Sequence, residues 1–174
     1  KPSYVGESHN ALVEESSQFH KPVVLGQVMS ANDAWSVFWS SSSSQKKVPD
    51  SKAIRVGRHV GEDQNKTRAV QTVGYVVFEA GDYTLSNMKF SVGVGSDSIG
   101  GIDSGTYNYD NFSSNVTNVI AVQTGMDGGD GGTAVLIDSA QVENGQLNLA
   151  INEDQLGDHE RKHTTEQVAW IAFE

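Results

Sequence analysis

The sequence predicts an all-β protein, a β-sandwich of roughly 10–12 antiparallel strands formed by an internal duplication. Three observations point there. Short runs of β-branched and aromatic residues alternate with clusters of Gly, Ser, Asn and Asp. No segment sustains a 3.6-residue apolar period between helix caps. The two halves of the chain repeat the same order of events.

Taken in order, residues 1–18 are polar and aperiodic and read as an N-terminal arm or edge strand. Pro22–Met29 is an apolar run of strand length, and Trp35–Trp39 is a second. The serine run Ser40–Ser44 reads as a solvated loop. Ile54 and Val56 begin another strand. Val73–Phe78 reads as a well-buried strand, and Met88–Val94 as a half-buried one with period two. A Gly, Asp and Ser-rich loop covers 95–109. Val119–Val122 and Ala134–Ile137 are strands either side of the tight loop Gly125–Gly132. Asn144-Gly145 between extended flanks signals a type I′ hairpin. Leu147, Leu149 and Ile151 alternate, and Val168–Phe173 closes the chain.

The repeat is carried by short identities. Glu62-Asp63-Gln64 recurs as Glu153-Asp154-Gln155, and Val73–Glu79 resembles Val168–Glu174. Val23–Gln27 matches Val119–Gln123 more weakly. One domain is expected over 1–174: the arm, unit one at 19–80, a connecting hairpin or loop at 81–111, and unit two at 112–174. A unit of about 60 residues holds only a marginal core alone, so the two are expected to pack face to face.

Composition removes several classes of function. The net charge of -10 repels nucleic acid. With no cysteine, disulfides, thiolate catalysis and Cys-ligated zinc are excluded. No apolar run approaches the ~18 residues of a membrane helix, so no membrane insertion is expected.

Four motifs bear chemistry. The loop Asp127-Gly128-Gly129-Asp130 offers carboxylates and inward-turning carbonyls suited to Ca²⁺, with Asp103 and Asp97 in another Gly-rich loop as further ligands. The competing reading is a plain turn with Asx hydrogen bonds. Trp35 and Trp39, and the segment Tyr107-Asn108-Tyr109, combine aromatic faces with amide groups, the chemistry that stacks on a sugar ring and binds its hydroxyls. Core packing is the competing reading for all of them. His159-Glu160-Arg161-Lys162-His163 fits the zinc-protease spacing H-E-x-x-H, which requires a helix to bring both imidazoles to one metal. A structural polar cluster is favoured there instead: Glu153, Asp154, Arg161, His163 and Glu166, mirrored in unit one by Glu62, Asp63 and Arg68.

The strand Gln146–Asn152, the acids Glu153-Asp154, the segment His163-Thr164-Thr165-Glu166 and the strand Val168–Ala172 together resemble a module of large secreted bacterial surface proteins, similar in outline to the H-type lectins. Phe19 and Pro22-Val23-Val24 resemble that fold's opening strand. In unit one, His-Thr-Thr-Glu is reduced to Arg68-Ala69-Val70-Gln71, and no lectin site residues carry over. The resemblance implies a β-sandwich and a binding class of function. The expectation is therefore an extracellular or cell-surface carbohydrate-binding module, possible calcium included as cofactor, with a polysaccharide or glycan as partner. The alternatives are an adhesive or filament-forming subunit that self-associates through its N-terminal arm, and a polysaccharide-cleaving enzyme.

Overall fold

The computed structural model describes residues 18–30, 35–65, 67, 69–137 and 142–174. The arm expected at 1–18 therefore lies outside the described residues apart from Gln18, as does Arg68. Twelve strands form among the described residues, with no α-helix. They are β1 (Pro22–Val28), β2 (Val37–Ser41), β3 (Arg55–His59), β4 (Val73–Glu79), β5 (Gly81–Leu85), β6 (Met88–Val94), β7 (Tyr107–Tyr109), β8 (Asn118–Thr124), β9 (Thr133–Leu136), β10 (Val142–Glu143), β11 (Gln146–Asn152) and β12 (Gln167–Phe173).

These strands make three stacked sheets rather than two. A six-stranded sheet, in the order β3-β2-β8-β12-β6-β5, lies in the middle. The β1-β4 ribbon packs on one face, and β10-β11-β7, with β9 also paired to β11, packs on the other. Strand β12 shows why. Val168, Trp170 and Ala172 face the cluster around Leu147, Leu149 and Ile151, while Ala169, Ile171 and Phe173 face the cluster of Val23, Leu25 and Val92. A strand buried on both faces needs a continuous apolar run, which Val168–Phe173 supplies.

The face-to-face packing of two units is corrected by this arrangement. Strands β2 and β3 of unit one extend the same sheet as β8 and β12 of unit two, joined by a parallel contact at Ser40 and Thr124, so the strands are not all antiparallel. The segment 81–111 is more than a connection, because β5 and β6 join the central sheet and β7 joins β11. Strand β4 also departs from expectation. It pairs with β1 alone and leaves Tyr75 and Val76 exposed. Of the serine run, Ser40, Ser41 and Ser42 are buried, with Ser40 and Thr124 hydroxyls 2.9 Å apart.

Within each half the pairings correspond. The first strand pairs antiparallel with the last, β1 with β4 and β8 with β12. Between them, β2 pairs with β3 in the first half, while the second half has three strands, of which β9 and β10 both pair with β11. The Asn144-Gly145 turn has φ of 51° and 77°, the left-handed pair that a type I′ hairpin requires.

Candidate functional site

An open cleft of about 660 Å³ lies at the β5 edge of the central sheet. Strand alternation decides which side chains enter it. Tyr83, Phe90 and Val92 point to the β1 side. Asp82, Thr84, Lys89 and Ser91, on the same two strands, therefore point to the opposite face, where the cleft lies. Trp170 of β12 forms its apolar floor. The indole lies over Gly93, where a Cβ would come within 2.5 Å of the ring, so only glycine admits it. Phe112 packs against Trp170 with ring centroids 4.7 Å apart and planes at 61°.

The far wall is the segment Asp110–Ser113. It is held by the hairpin turn: the Phe112 N–H donates to the Gly145 carbonyl at 3.0 Å, and Gln146 Nε2 donates to Asp110 at 2.9 Å. Asn111 takes a left-handed backbone with φ of 70°, a conformation asparagine tolerates better than most residues. The cleft lining thus combines the aromatic residues Tyr83, Phe90, Phe112 and Trp170 with carboxylates, hydroxyls, an amide and one ammonium. Such a set matches a ligand with an apolar face and a rim of hydroxyls.

A second polar centre is buried between β3, β11 and the loop Gly125–Gly132. The Glu166 carboxylate caps that loop, accepting the Asp127 N–H at 2.9 Å and the Gly128 N–H at 2.7 Å. Burial pushes Glu166 up to about 7, although those two N–H groups oppose the shift. His163 lies beneath Gly128, whose added Cβ would meet the imidazole at 2.1 Å. Its Nδ1 is 2.9 Å from the Thr164 carbonyl, which can only accept, so Nδ1 carries the proton. Nε2 is left with a lone pair and faces Glu153 Oε1 at 3.9 Å, and neither atom has a hydrogen-bond partner. Glu153 is driven up to about 8, first by burial and then by the carboxylates of Asp130, Glu160, Glu62 and Asp158.

His59 is also buried. Its Nδ1 accepts the Gly61 N–H and its Nε2 donates to the Gly132 carbonyl at 2.9 Å. Burial lowers it to about 4, opposed by the Gly132 bond and reinforced by the nearby His163.

The two Glu-Asp-Gln segments meet here. Asp63 and Asp154 each accept the N–H two residues on, forming the same Asx turn at 2.8 and 3.0 Å. The Glu62 N–H donates to Asp154 at 3.1 Å, and Gly157 N–H donates to Glu62 at 2.8 Å. Of the expected acid–base pairs, Glu166 lies 3.7 Å from His163, while Glu62 and Asp154 accept backbone N–H groups. Arg161 pairs instead with Asp103 at 3.0 Å, and Arg58 donates to the Ala69 carbonyl.

Other residues singled out in the sequence fall as follows. Tyr109 is a core side chain rather than an exposed platform, because β7 pairs with β11. Its hydroxyl donates to the Ser96 carbonyl and accepts the Val168 N–H, and burial drives its pKa upward beyond the ordinary tyrosine range, opposed by the Val168 N–H. Tyr107 and Asn108 are half-buried, and Tyr107 packs against Gly100. Trp39 is half-buried over Gly57, while Trp35 is 49% exposed and meets His59 edge-on at 6.4 Å. None of these five lines the cleft.

Asp127 pairs with Lys46 at 3.3 Å and Asp103 with Arg161, so two of the carboxylates expected to hold Ca²⁺ are already neutralised. Asp97 and Asp130 form no ion pair among the described residues. No three carboxylate or imidazole groups converge on one point among the described residues. The 159–163 segment is not helical, and His159 is exposed while His163 is buried, so the zinc-protease geometry is absent. The cleft itself was missed from sequence. Its signal was Gly93 in a strand otherwise alternating well, a place where another group approaches the backbone closely.

The fold is a layered all-β one with an open polar–aromatic cleft at the β5 edge of its central sheet. Compared with family models, curated proteins and solved structures, the chain gives no match.

Proposed function

We propose that this chain is an extracellular carbohydrate-binding module that takes its glycan in the cleft floored by Trp170. The observation that supports it is the flat indole bordered by Asp82, Ser91, Asp110 and Asn111. A pyranose ring stacked on the indole would turn its hydroxyls toward those acceptors and donors. The test is binding to a panel of soluble oligosaccharides and insoluble polysaccharides, followed by tryptophan fluorescence and pull-down. Asp82→Ala and Asp110→Ala should each weaken binding about tenfold, at roughly 1.4 kcal/mol per lost hydrogen-bonding group. Undiminished binding in both variants refutes the assignment to this cleft.

The reading also takes the two halves as copies of one ancestral unit. Matching first-to-last strand pairing and the matching Asx turns at Asp63 and Asp154 support it. A duplicated module that keeps one long edge open for a polymer suits a binding role better than a catalytic one.

A further inference from the structure

We infer that the cleft floored by Trp170 prefers glycans bearing free amino groups, carried as ammonium, over neutral and anionic ones. This rests on the glycan reading above and adds the sign of the ligand's charge to it. Three observations lead there. First, the lining is unbalanced. Asp82, Asp110 and Glu174 bring three carboxylates to it, and Lys89 brings one ammonium. All four residues are exposed. Strand alternation gathers them: Asp82 and Lys89 point away from the β1 side, and Glu174 continues the Trp170 and Ala172 side of β12. The Glu174 N–H donates to the Lys89 carbonyl at 2.9 Å, which carries the β6–β12 pairing up to the cleft.

Second, none of the four forms an ion pair among the described residues. Asp110 accepts from Gln146 Nε2, a neutral donor that leaves its charge uncancelled. Elsewhere the chain does match acids with bases, as Asp103 with Arg161 and Asp127 with Lys46. Third, the carboxylates border aromatic rings, with Phe112 and Trp170 centroids 4.7 Å apart. An indole face attracts a cation held within about 6 Å of its centre. Wall and floor therefore favour the same sign of charge.

A 2-amino sugar fits this arrangement. Its ring lies on the indole, and the ammonium at the ring's rim reaches Asp82 or Asp110 in a charge-assisted hydrogen bond. N-acetylation keeps the ring and removes the charge. A uronic acid or a sulfated sugar adds negative charge to a cleft already in excess, on a chain of net charge -10.

The test uses the full chain and three trimers of one linkage, made of glucosamine, N-acetylglucosamine or a uronic acid. Tryptophan fluorescence titrations are run at about pH 6, in low salt and in about 0.5 M sodium chloride. The amino trimer should bind about tenfold more tightly than the acetylated one in low salt, with the gap shrinking in high salt. The uronic acid trimer should bind weakest of the three. Glu174→Gln should narrow the amino-to-acetyl ratio about threefold, and Lys89→Gln should widen it by about as much. Asp158→Asn removes an exposed acid outside the cleft and controls for attraction to the chain as a whole. Equal affinity for the amino and acetylated trimers overturns the preference and leaves the glycan reading standing. So does a neutral glycan that binds where the amino trimer does not, or a ratio that moves as far in Asp158→Asn as in Glu174→Gln. If no glycan binds at all, the reading of the cleft falls and this inference falls with it.

Discussion

Gly128→Ala probes a close fit of backbone against a buried imidazole. An alanine methyl would lie 2.1 Å from His163 Cε1 and 2.4 Å from Nε2, and the imidazole is fully enclosed. Overpacking of this kind costs about 1–3 kcal/mol. Relief by lifting the loop would stretch the Gly128 N–H bond to the Glu166 carboxylate, a charge-assisted bond worth about 1.5–3 kcal/mol. Only part of that is lost in addition, so the expected destabilisation is about 2–4 kcal/mol. With a urea m-value of about 2 kcal/mol/M, the midpoint falls by about 1–2 M. The assay is urea denaturation by tryptophan fluorescence, repeated in a His163→Ala background. There the imidazole is gone and the added methyl enters empty space, so the same substitution should cost less than about 1 kcal/mol. A Gly128→Ala protein within about 0.5 kcal/mol of wild type, or an equal cost in both backgrounds, refutes the packing argument.

Stability should fall as pH rises from 5 to 8. Glu153 and Glu166 are raised from 4.5 to about 8 and about 7, so the stabilisation they give is complete below 4.5 and is lost as pH rises through those values. His59 acts oppositely, lowered from 6.5 to about 4, so stability is lost as pH falls through that lower window. Urea midpoints at pH 5, 6.5 and 8 check the sign, and a midpoint that climbs toward pH 8 contradicts it. Glu153→Gln should flatten the alkaline side of that profile, read the same way. Gly145→Ala places a side chain at φ of 77° and should cost about 1 kcal/mol. Because the Gly145 carbonyl holds Phe112, the same variant should also weaken glycan binding, measured by fluorescence titration.

Burial decided most of the surprises. Val73–Phe78 and Val168–Phe173 read alike, yet β12 is enclosed on both faces while β4 leaves Val76 52% exposed. Local pattern reports strand propensity, and how many layers cover a strand depends on residues far along the chain. Tyr109 shows the same effect: a tyrosine in a Gly-rich stretch became core when β7 paired with β11.

What the sequence alone determined is the all-β class, most strand positions and the type I′ turn. Those follow from alternation, turn chemistry and repetition, which are local. Tertiary structure decided that the described strands form three sheets, that both halves share the middle one, and that Glu62, Asp154 and Glu166 accept backbone N–H groups. Those outcomes depend on which distant backbone arrives at a given face, and no short window of residues carries that information.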